Sequence, residues 1–263
     1  MILSQNIPGK KYSRIISLVP SQTELLSYLS LEKEVIGITK FCVHPNECFR
    51  NTTRIGGPKN IDLKKIHQLS PDLIIANKEE NVKEQVEELE EKYDVWVTDV
   101  NNLPDAIKMI NSLGKLTRRA EAASALALQV KMKFDKLKLI TSKRHRFISA
   151  AYLIWKDPYM VAGGNTFIDN MMQYCGLQNV FGNRERYPQI TLDNIKEKNT
   201  ELILLSSEPY PFKEKQKKEI QKQIDGIKIE LVDGEMFSWY GNRLLQSVDY
   251  FQELMKKLRS NLI

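Results

Sequence analysis

The chain has 263 residues, of which 42% are hydrophobic and 27% charged. This composition is typical of a globular protein with one large or two ordinary domains, and it excludes disordered and fibrous classes. The net charge of +6 is spread out, and the densest basic run, residues 213–222, is interleaved with glutamate, so no nucleic-acid partner is expected. No apolar stretch approaches the roughly 20 residues that cross a bilayer, so no membrane insertion is expected.

Apolar runs alternate with helical patterns along the first hundred residues. A buried strand is predicted over residues 14–19, followed by a helix that begins at Ser21, with Glu24 completing a capping box. Strands are also predicted over 34–38, 72–76 and 95–98, with helices over 63–69 and 82–92. Strands that alternate with helices indicate a parallel α/β sheet.

A long helical region follows. It opens at residues 103–105, Gly114 is predicted to interrupt it, and residues 118–141 then contain neither glycine nor proline. A helix of this length spans roughly 36 Å and is too regular for a flexible linker.

The second half repeats the plan of the first. Strands are predicted over 147–155, 201–205 and 227–232, with helices over 167–174, 192–198 and 244–258. The segment LKKIHQLSPDLIIA, from Leu63, resembles LDNIKEKNTELILL, from Leu192. This echo predicts two lobes of similar design, although α/β units in general resemble one another.

The predicted fold class is therefore α/β, with two Rossmann-like lobes of mainly parallel sheets joined by one long backbone helix. The predicted boundaries are an N-terminal lobe over residues 1–102, a helical connector over 103–143 and a C-terminal lobe over 144–263. Because ligands of open parallel sheets bind outside the carboxyl ends of the strands, a largely preformed cleft between the lobes is expected to hold the ligand.

Several segments occur in the order found in one protein family: RIISLVPSQTELL, VIGITKFCVHP, RIGGPKNIDLKKIHQLSPDLIIA, GGNTFIDNMMQYCGLQNVF and YPQITLDNIKEKNTELILLSS. Over about residues 14–258 the chain resembles the helical-backbone (class III) substrate-binding proteins of ABC importers, which bind vitamin B12, ferric siderophores and haem, and it most resembles the B12-binding branch. The resemblance implies a monomeric, non-enzymatic receptor that needs no cofactor. It would bind cobalamin or another metal chelate and present it to an ABC permease.

The compartment stays open at this point. Family members normally carry a signal peptide or a lipoprotein cysteine, and the sequence as given shows neither pattern. The resemblance implies a periplasmic location, while the missing leader leaves a cytoplasmic one open. A cytosolic carrier or sensor of a corrinoid or tetrapyrrole, with the same fold, is the alternative function.

Loops that follow the predicted strands carry the candidate ligand contacts. Ser21 follows the first strand, and in the resembling B12 binders the loop at residues 39–47 contacts the ligand, which selects Phe41, Cys42 and His44. Lys78 follows the third strand, although this position also suits a helix N-terminus. A Cys and a His two residues apart fall short of the three or four ligands of a stable metal site, so local hydrogen bonding is the alternative.

Aromatic residues mark the second lobe. Trp155 and Tyr159 follow a strand and offer flat surfaces suited to a corrin or porphyrin plane, although such residues also pack in cores. Residues 233–243 read as a glycine-containing loop with three aromatics, which needs a surface to bury them. Phe237, Trp239, Tyr240 and Arg243 are therefore candidate ligand contacts, and Arg54, Arg184 and Arg186 are further candidates for pairing with a ligand carboxylate or phosphate.

The remaining predictions concern docking and catalysis. Relatives dock on the permease through an acidic residue in each lobe, which selects Glu84 and Glu208. The sequence contains no GxSxG or GxxxxGK[ST] motif, and a dyad of Cys42 with His44 would lack a third orienting group. With His67 and His145 as the other histidines, a free divalent metal is disfavoured, and no enzyme is expected.

Overall fold

The structure is a computed structural model that describes residues 10–143 and 146–260. The described residues form two compact units. The first contains the residues up to Val100 together with Pro104–Lys131 and Tyr240–Arg243, and the second contains Asn101–Leu103, Met132–Trp239 and the residues from Leu244 onward. The division into two lobes and a connector at residues 103–143 stays a prediction.

The first unit contains, in chain order, β1 (Ile15–Ser17), α1 (Pro20–Tyr28), β2 (Val35–Ile38), α2 (Asn46–Phe49), β3 (Thr53–Arg54), β4 (Gly56–Gly57), β5 (Asn60–Ile61), α3 (Leu63–Leu69), β6 (Leu73–Asn77), α4 (Lys83–Glu90) and β7 (Val95–Thr98). It is built on a sheet of five parallel strands in the order β3-β2-β1-β6-β7. Strands β1 and β6 are buried along their whole length, as is typical of the inner strands of a parallel sheet. Strands β4 and β5 form a small antiparallel hairpin.

Two helices follow, α5 (Leu103–Leu116) and α6 (Ala120–Ser142). The predicted interruption at Gly114 is wrong, because Gly114 lies inside α5 and the chain leaves the helix only after Leu116. Helix α6 has 23 residues, and the boundary between the two units falls within it, after Lys131. No helix in the described ranges is both long and apolar enough to span a membrane.

The second unit contains, in chain order, β8 (Ile148–Trp155), β9 (Met160–Val161), α7 (Phe167–Tyr174), β10 (Leu177–Asn179), α8 (Leu192–Lys196), β11 (Leu202–Ser206), α9 (Glu214–Gln221), β12 (Lys228–Val232), α10 (Gly234–Ser238) and α11 (Leu244–Ser260). In its sheet β10, β8, β11 and β12 are parallel, and β9 is antiparallel beside β8. Buried side chains of this unit pack in a cluster that includes Leu153, Phe181 and Ile203.

The two sheets share one strand order. In the first unit β1 lies between β2 and β6, with β7 beyond β6, and in the second unit β8 lies between β10 and β11, with β12 beyond β11. The two repeated sequence segments are α3–β6 and α8–β11, which occupy equivalent places in this order. The predicted α/β class, with two mainly parallel sheets and one long helix, is confirmed.

The predicted capping box at the start of α1 is wrong. Helix α1 begins at Pro20, with Val19 as its N-cap and no side-chain cap, because proline is preorganised for the first helical position. Ser21 is a buried residue inside the first turn, and the Glu24 carboxylate accepts hydrogen bonds from Arg243 instead. His145, expected near the end of the long helix, lies outside the described residues.

Candidate functional site

The loop after β2 presents an aromatic ring at the carboxyl end of the first sheet. Phe41 is 54% exposed, and Nζ of Lys40 lies 5.1 Å from the centre of its ring, within the range of a cation–π interaction. A Cβ at Gly57 would lie 3.5 Å from Cε2 of Phe41, so the β4–β5 hairpin lies beside one edge of the ring. Phe41 is thus in contact with the protein while much of its surface is accessible.

Cys42, the next residue, is buried in a chain of hydroxyl groups. Its Sγ lies 3.1 Å from Oγ1 of Thr23 and 3.2 Å from Oγ1 of Thr39, and Thr23 Oγ1 lies 2.8 Å from Oγ of Ser17. Burial raises the pKa of the Cys42 thiol, and its hydrogen bonds to Thr23 and Thr39 oppose this shift. These are the surroundings of a structural thiol that connects the loop to α1, and not those of an activated thiolate.

Three further candidates of the first unit differ in accessibility. Ser21 is buried and His44 is partly buried. Lys78 is exposed immediately after β6, and its Nζ lies 2.9 Å from Oδ2 of Asp99, which follows β7. The charge of Lys78 is therefore shared with a neighbouring carboxylate at the same edge of the sheet.

The described part of the chain contains no group of three or more His, Cys, Asp or Glu residues placed to hold a metal ion. His67 lies on α3, where its Nδ1 is 2.9 Å from the hydroxyl of Tyr93.

The second unit has an aromatic group at the carboxyl ends of β8 and β11. Trp155 ends β8 and is 40% exposed. Its ring packs edge-on against Tyr210, with 5.7 Å between centroids, and Tyr210 packs on Phe212 at 4.7 Å. Tyr159 is partly buried against the core cluster, and burial raises its pKa. Trp155 thus packs on aromatic neighbours while part of its surface stays accessible.

Residues 233–238 fold into a short helix and not into an open loop. Asp233 caps α10 by accepting a hydrogen bond from the backbone N–H of Glu235 at 3.0 Å. Phe237 is fully buried, with its ring 5.1 Å from that of Tyr152 and 4.7 Å from that of Phe251. Phe237 therefore packs within the core of the second unit.

Tyr240 and Arg243 belong to the first unit and are buried there. The Tyr240 hydroxyl donates to Oε1 of Glu80 at 3.1 Å, and burial, followed by the charge of Glu80, raises the pKa of Tyr240 well above its usual value. Arg243 donates from Nε and Nη2 to the two carboxylate oxygens of Glu24 at 2.9 and 2.8 Å. Tyr240 thus attaches the segment Tyr240–Arg243 to the loop that carries Glu80, and Arg243 attaches it to α1.

The two candidate docking acids have different surroundings. Glu84 is exposed in the first turn of α4. Glu208 is partly buried, and its Oε1 accepts hydrogen bonds from Oγ of Ser238 at 2.6 Å and from Nε1 of Trp239 at 2.9 Å. Burial raises the pKa of Glu208. The Glu208 carboxylate is therefore engaged within its own unit, whereas that of Glu84 faces outward.

Sequence reasoning missed two contributors, Tyr210 and Lys40. The segment Glu208–Pro–Tyr–Pro–Phe212 follows β11, and Trp155 ends β8, so an aromatic residue between two prolines after a strand was the available signal. For Lys40 the only signal in the sequence was its position immediately before Phe41. No local signal identified Glu24 as the partner of Arg243, because the two residues are 219 positions apart.

Comparison with known proteins gives consistent results. A model of the periplasmic binding protein family matches residues 15–226. The vitamin B12-binding protein of Vibrio campbellii is 23% identical over 195 residues, which cover 73% of this chain and 70% of that protein. YvrC of Bacillus subtilis, an uncharacterised ABC transporter substrate-binding lipoprotein, is 23% identical over 256 residues, covering 93% and 80%. The solved structure of the periplasmic vitamin B12-binding protein BtuF of Vibrio cholerae matches with a TM-score of 0.79 at 19% identity, covering 94% of this chain and 98% of that one, which shows the same fold.

Proposed function

Because the chain belongs to the periplasmic binding protein family, we propose that it is the substrate-binding receptor of an ABC importer and that its substrate is a metal chelate. A corrinoid such as cobalamin is the first candidate, and haem and ferric siderophores are the others. The V. campbellii relative is named for vitamin B12 binding and the B. subtilis relative for ABC transport, which supports both parts of the proposal. The chelate is transported cargo, and the chain acts by binding it.

An exposed aromatic ring at the carboxyl edge of each sheet carries this proposal. Phe41 is 54% exposed in the first unit and Trp155 is 40% exposed in the second. Carboxyl edges are where open parallel sheets bind ligands. Rigid aromatic rings provide flat contact area for a corrin or porphyrin plane at a low cost in conformational entropy.

The other candidate residues divide by burial into two roles. Those with accessible surface are proposed to contact the chelate directly: Phe41, His44, Lys78, Trp155 and Tyr159. Those that are buried are proposed to hold the loops that carry these contacts: Ser21, Cys42, Phe237, Trp239, Tyr240 and Arg243. This division assigns ligand affinity to the first group and loop geometry to the second.

Docking on the permease is proposed to involve Glu84, whose carboxylate is exposed on α4. Glu208 is the corresponding candidate of the second unit, although its carboxylate already accepts two hydrogen bonds. In this proposal the chain works as a monomer on the outer side of the cytoplasmic membrane, and the B. subtilis relative is named as a substrate-binding lipoprotein. An E84K variant is expected to reduce chelate uptake by cells without changing chelate affinity, whereas E88K, also exposed on α4, serves as the control.

The proposal is tested by titrating the purified chain with cyanocobalamin, haemin and ferrichrome, using absorbance and calorimetry. At least one chelate is expected to bind with a dissociation constant of about 1 μM or below, about −8 kcal/mol. The F41A/W155A double variant is expected to lose most of this affinity. A Y28A/F147A variant removes two other exposed aromatic rings, which are 45% and 38% exposed, and is expected to retain it. Binding of none of the chelates below about 1 mM would contradict the proposal.

A further inference from the structure

Charged side chains at the two carboxyl edges indicate the net charge of the ligand. We propose that the chain selects a metal chelate that is neutral or positively charged, and that it binds chelates bearing free carboxylates or other net negative charge more weakly. This inference rests on the proposed function, because it narrows the substrate class of the same site. It would favour a ligand with carboxamide or hydroxamate groups on its periphery.

The arginines that could bind a ligand carboxylate make contacts within the protein. A guanidinium recognises a carboxylate best through two parallel N–H donors. Nη1 of Arg54 donates instead to the carbonyl oxygens of Phe49 and Thr52, at 2.9 and 2.7 Å. In the second unit, Nη1 of Arg186 donates to Oδ1 of Asn101 at 2.9 Å.

The two remaining candidate arginines are also in contact with other residues. The buried charge of Arg243 is balanced by Glu24, and both carboxylate oxygens are used. Arg184 lies with its guanidinium carbon 5.7 Å from the ring centre of Phe181. Three of the four arginines singled out from the sequence thus donate hydrogen bonds within the protein, and the exposed Arg184 lies over the ring of Phe181.

Negative charge prevails where the strands of the second sheet end. Glu208 follows β11, and Asp233 and Glu235 follow β12. Lys156, which follows β8, has its Nζ 2.5 Å from Oε2 of Glu219 on α9, so its charge is paired. Three carboxylates at the carboxyl ends of β11 and β12 repel an anionic ligand, whereas a neutral ligand is not repelled.

The edge of the first sheet contributes less positive charge than its lysines suggest. Lys78 pairs with Asp99 at 2.9 Å, and Lys40 lies over the ring of Phe41. One ammonium group beside an exposed aromatic ring suits a single phosphate or polarised oxygen on an otherwise uncharged chelate. It does not match the several negative charges of a ferric triscatecholate.

The decisive experiment compares ligands that differ in charge and little else. Cyanocobalamin is paired with its monocarboxylate derivative, in which one side-chain amide is hydrolysed, and ferrioxamine B is paired with its N-succinyl derivative. Haemin and ferric enterobactin are titrated alongside. The uncharged or cationic member of a bound pair is expected to bind on the order of tenfold more tightly than its carboxylated partner, and 0.5 M NaCl is expected to narrow this ratio because salt screens the repulsion.

The results separate this inference from the proposed function. If haemin, ferric enterobactin or a carboxylated derivative binds as tightly as any uncharged chelate, the charge preference is wrong while the chelate receptor stands. If no chelate binds, the proposed function fails and the charge preference fails with it.

Variants at Glu235 test whether the acidic strand edge is responsible. E235Q and E235K are expected to raise the affinity for a carboxylated derivative relative to its parent, by on the order of threefold and tenfold respectively. E253K makes the same charge change at an exposed position on α11 and is expected to leave the ratio unchanged. Equal effects of E235K and E253K would overturn the assignment to this edge, and thermal melting of each variant confirms that the fold is intact.

Discussion

Arg243 binds both carboxylate oxygens of Glu24, at 2.9 and 2.8 Å, although 219 positions of sequence separate the two residues. Their side chains are only 9% and 11% exposed. A two-point arginine–carboxylate pair satisfies the charge and the hydrogen-bonding groups of both partners at once. The pair attaches residues Tyr240–Arg243 to α1 within the first unit, whereas the chain before and after them belongs to the second.

Removing one partner of this pair is expected to destabilise the protein strongly. R243A leaves the Glu24 carboxylate buried without a counter-charge, which predicts a loss of about 3–5 kcal/mol in the free energy of unfolding. E24L/R243L removes both charges and is expected to recover most of that loss. Urea denaturation followed by circular dichroism measures these values.

The control for this prediction is an exposed ion pair. Lys83 and Glu87 on α4 have side chains that are 80% and 56% exposed, so K83A is expected to change stability by less than about 1 kcal/mol. A loss in R243A no larger than that in K83A would show that the buried pair does not stabilise the fold.

Gly114 marks the point where α5 and α6 approach closely. A Cβ at this position would lie 2.2 Å from Cβ of Ala123 on α6. Alanine is favoured over glycine in a helix by about 1 kcal/mol, but the clash is expected to outweigh this gain, so that G114A loses about 1–2 kcal/mol of stability.

A compensating variant identifies the clash as the cause. G114A/A123G removes the opposing methyl group and is expected to be more stable than G114A alone, although it places a glycine in α6. K115A, at the exposed next position of α5, is expected to stay within about 0.5 kcal/mol of the wild type. Thermal unfolding compares the four proteins, and a G114A variant that melts above the wild type would refute the steric explanation.

Elements whose signals are local were predicted well. Helix α3 has the predicted bounds, Leu63–Leu69, because the Asp62 side chain caps it by accepting a hydrogen bond from the backbone N–H of Lys65. Strand β7 also agrees, since a β-branched and aromatic run ends at Thr98. The start of α1 was predicted wrongly because Pro20 provides the first helical position without a side-chain cap. The interruption at Gly114 was predicted wrongly because the close approach of Ala123 on α6, which accounts for this glycine, is a tertiary contact.

For the candidate site, too, the sequence indicated which residues follow a strand or belong to a loop, but not how deeply each side chain is buried. The resemblance to B12 binders selected Phe41, and position after a strand selected Trp155. Both are exposed, Phe41 in the loop after β2 and Trp155 at the end of β8. Burial depth could not be read from sequence, because aromatic residues such as Phe237 and Trp239 show the same pattern whether they cover a ligand or a core. The structure buries both, and it adds Tyr210 as the support of Trp155.

The carboxyl group of Glu208 is expected to make stability depend on pH. Burial raises its pKa above the usual value of 4.5, and the nearby charges of Glu235 and Asp233 act in the same direction. The folded state therefore holds this proton more tightly than the unfolded state. The contribution of Glu208 to stability is present below the unfolded pKa and is lost as the pH rises through the folded value.

E208Q tests this sign directly. Glutamine keeps an acceptor oxygen for Ser238 and Trp239 but carries no charge, so E208Q is expected to gain stability over the wild type at pH 8 and to lose that advantage at pH 4. E84Q, at an exposed position, is expected to show no such pH dependence. Urea denaturation at the two pH values provides the comparison, and lower stability of E208Q at pH 8 would mean that hydrogen bonds to the charged carboxylate outweigh its burial.

The thiol of Cys42 is expected to be unreactive in the folded protein. It is 1% exposed and bonded to the hydroxyls of Thr23 and Thr39, and burial raises its pKa, so little thiolate is present at neutral pH. Cys175 is buried as well.

In a C48A variant, which leaves these two thiols, labelling by Ellman's reagent at pH 8 is expected to require opening of the native structure and to be complete in urea. A C42A derivative of that variant separates the two thiols. Rapid labelling that disappears with C42A would assign Cys42 a reactive or ligand-binding role in place of its role as the anchor of the Phe41 loop.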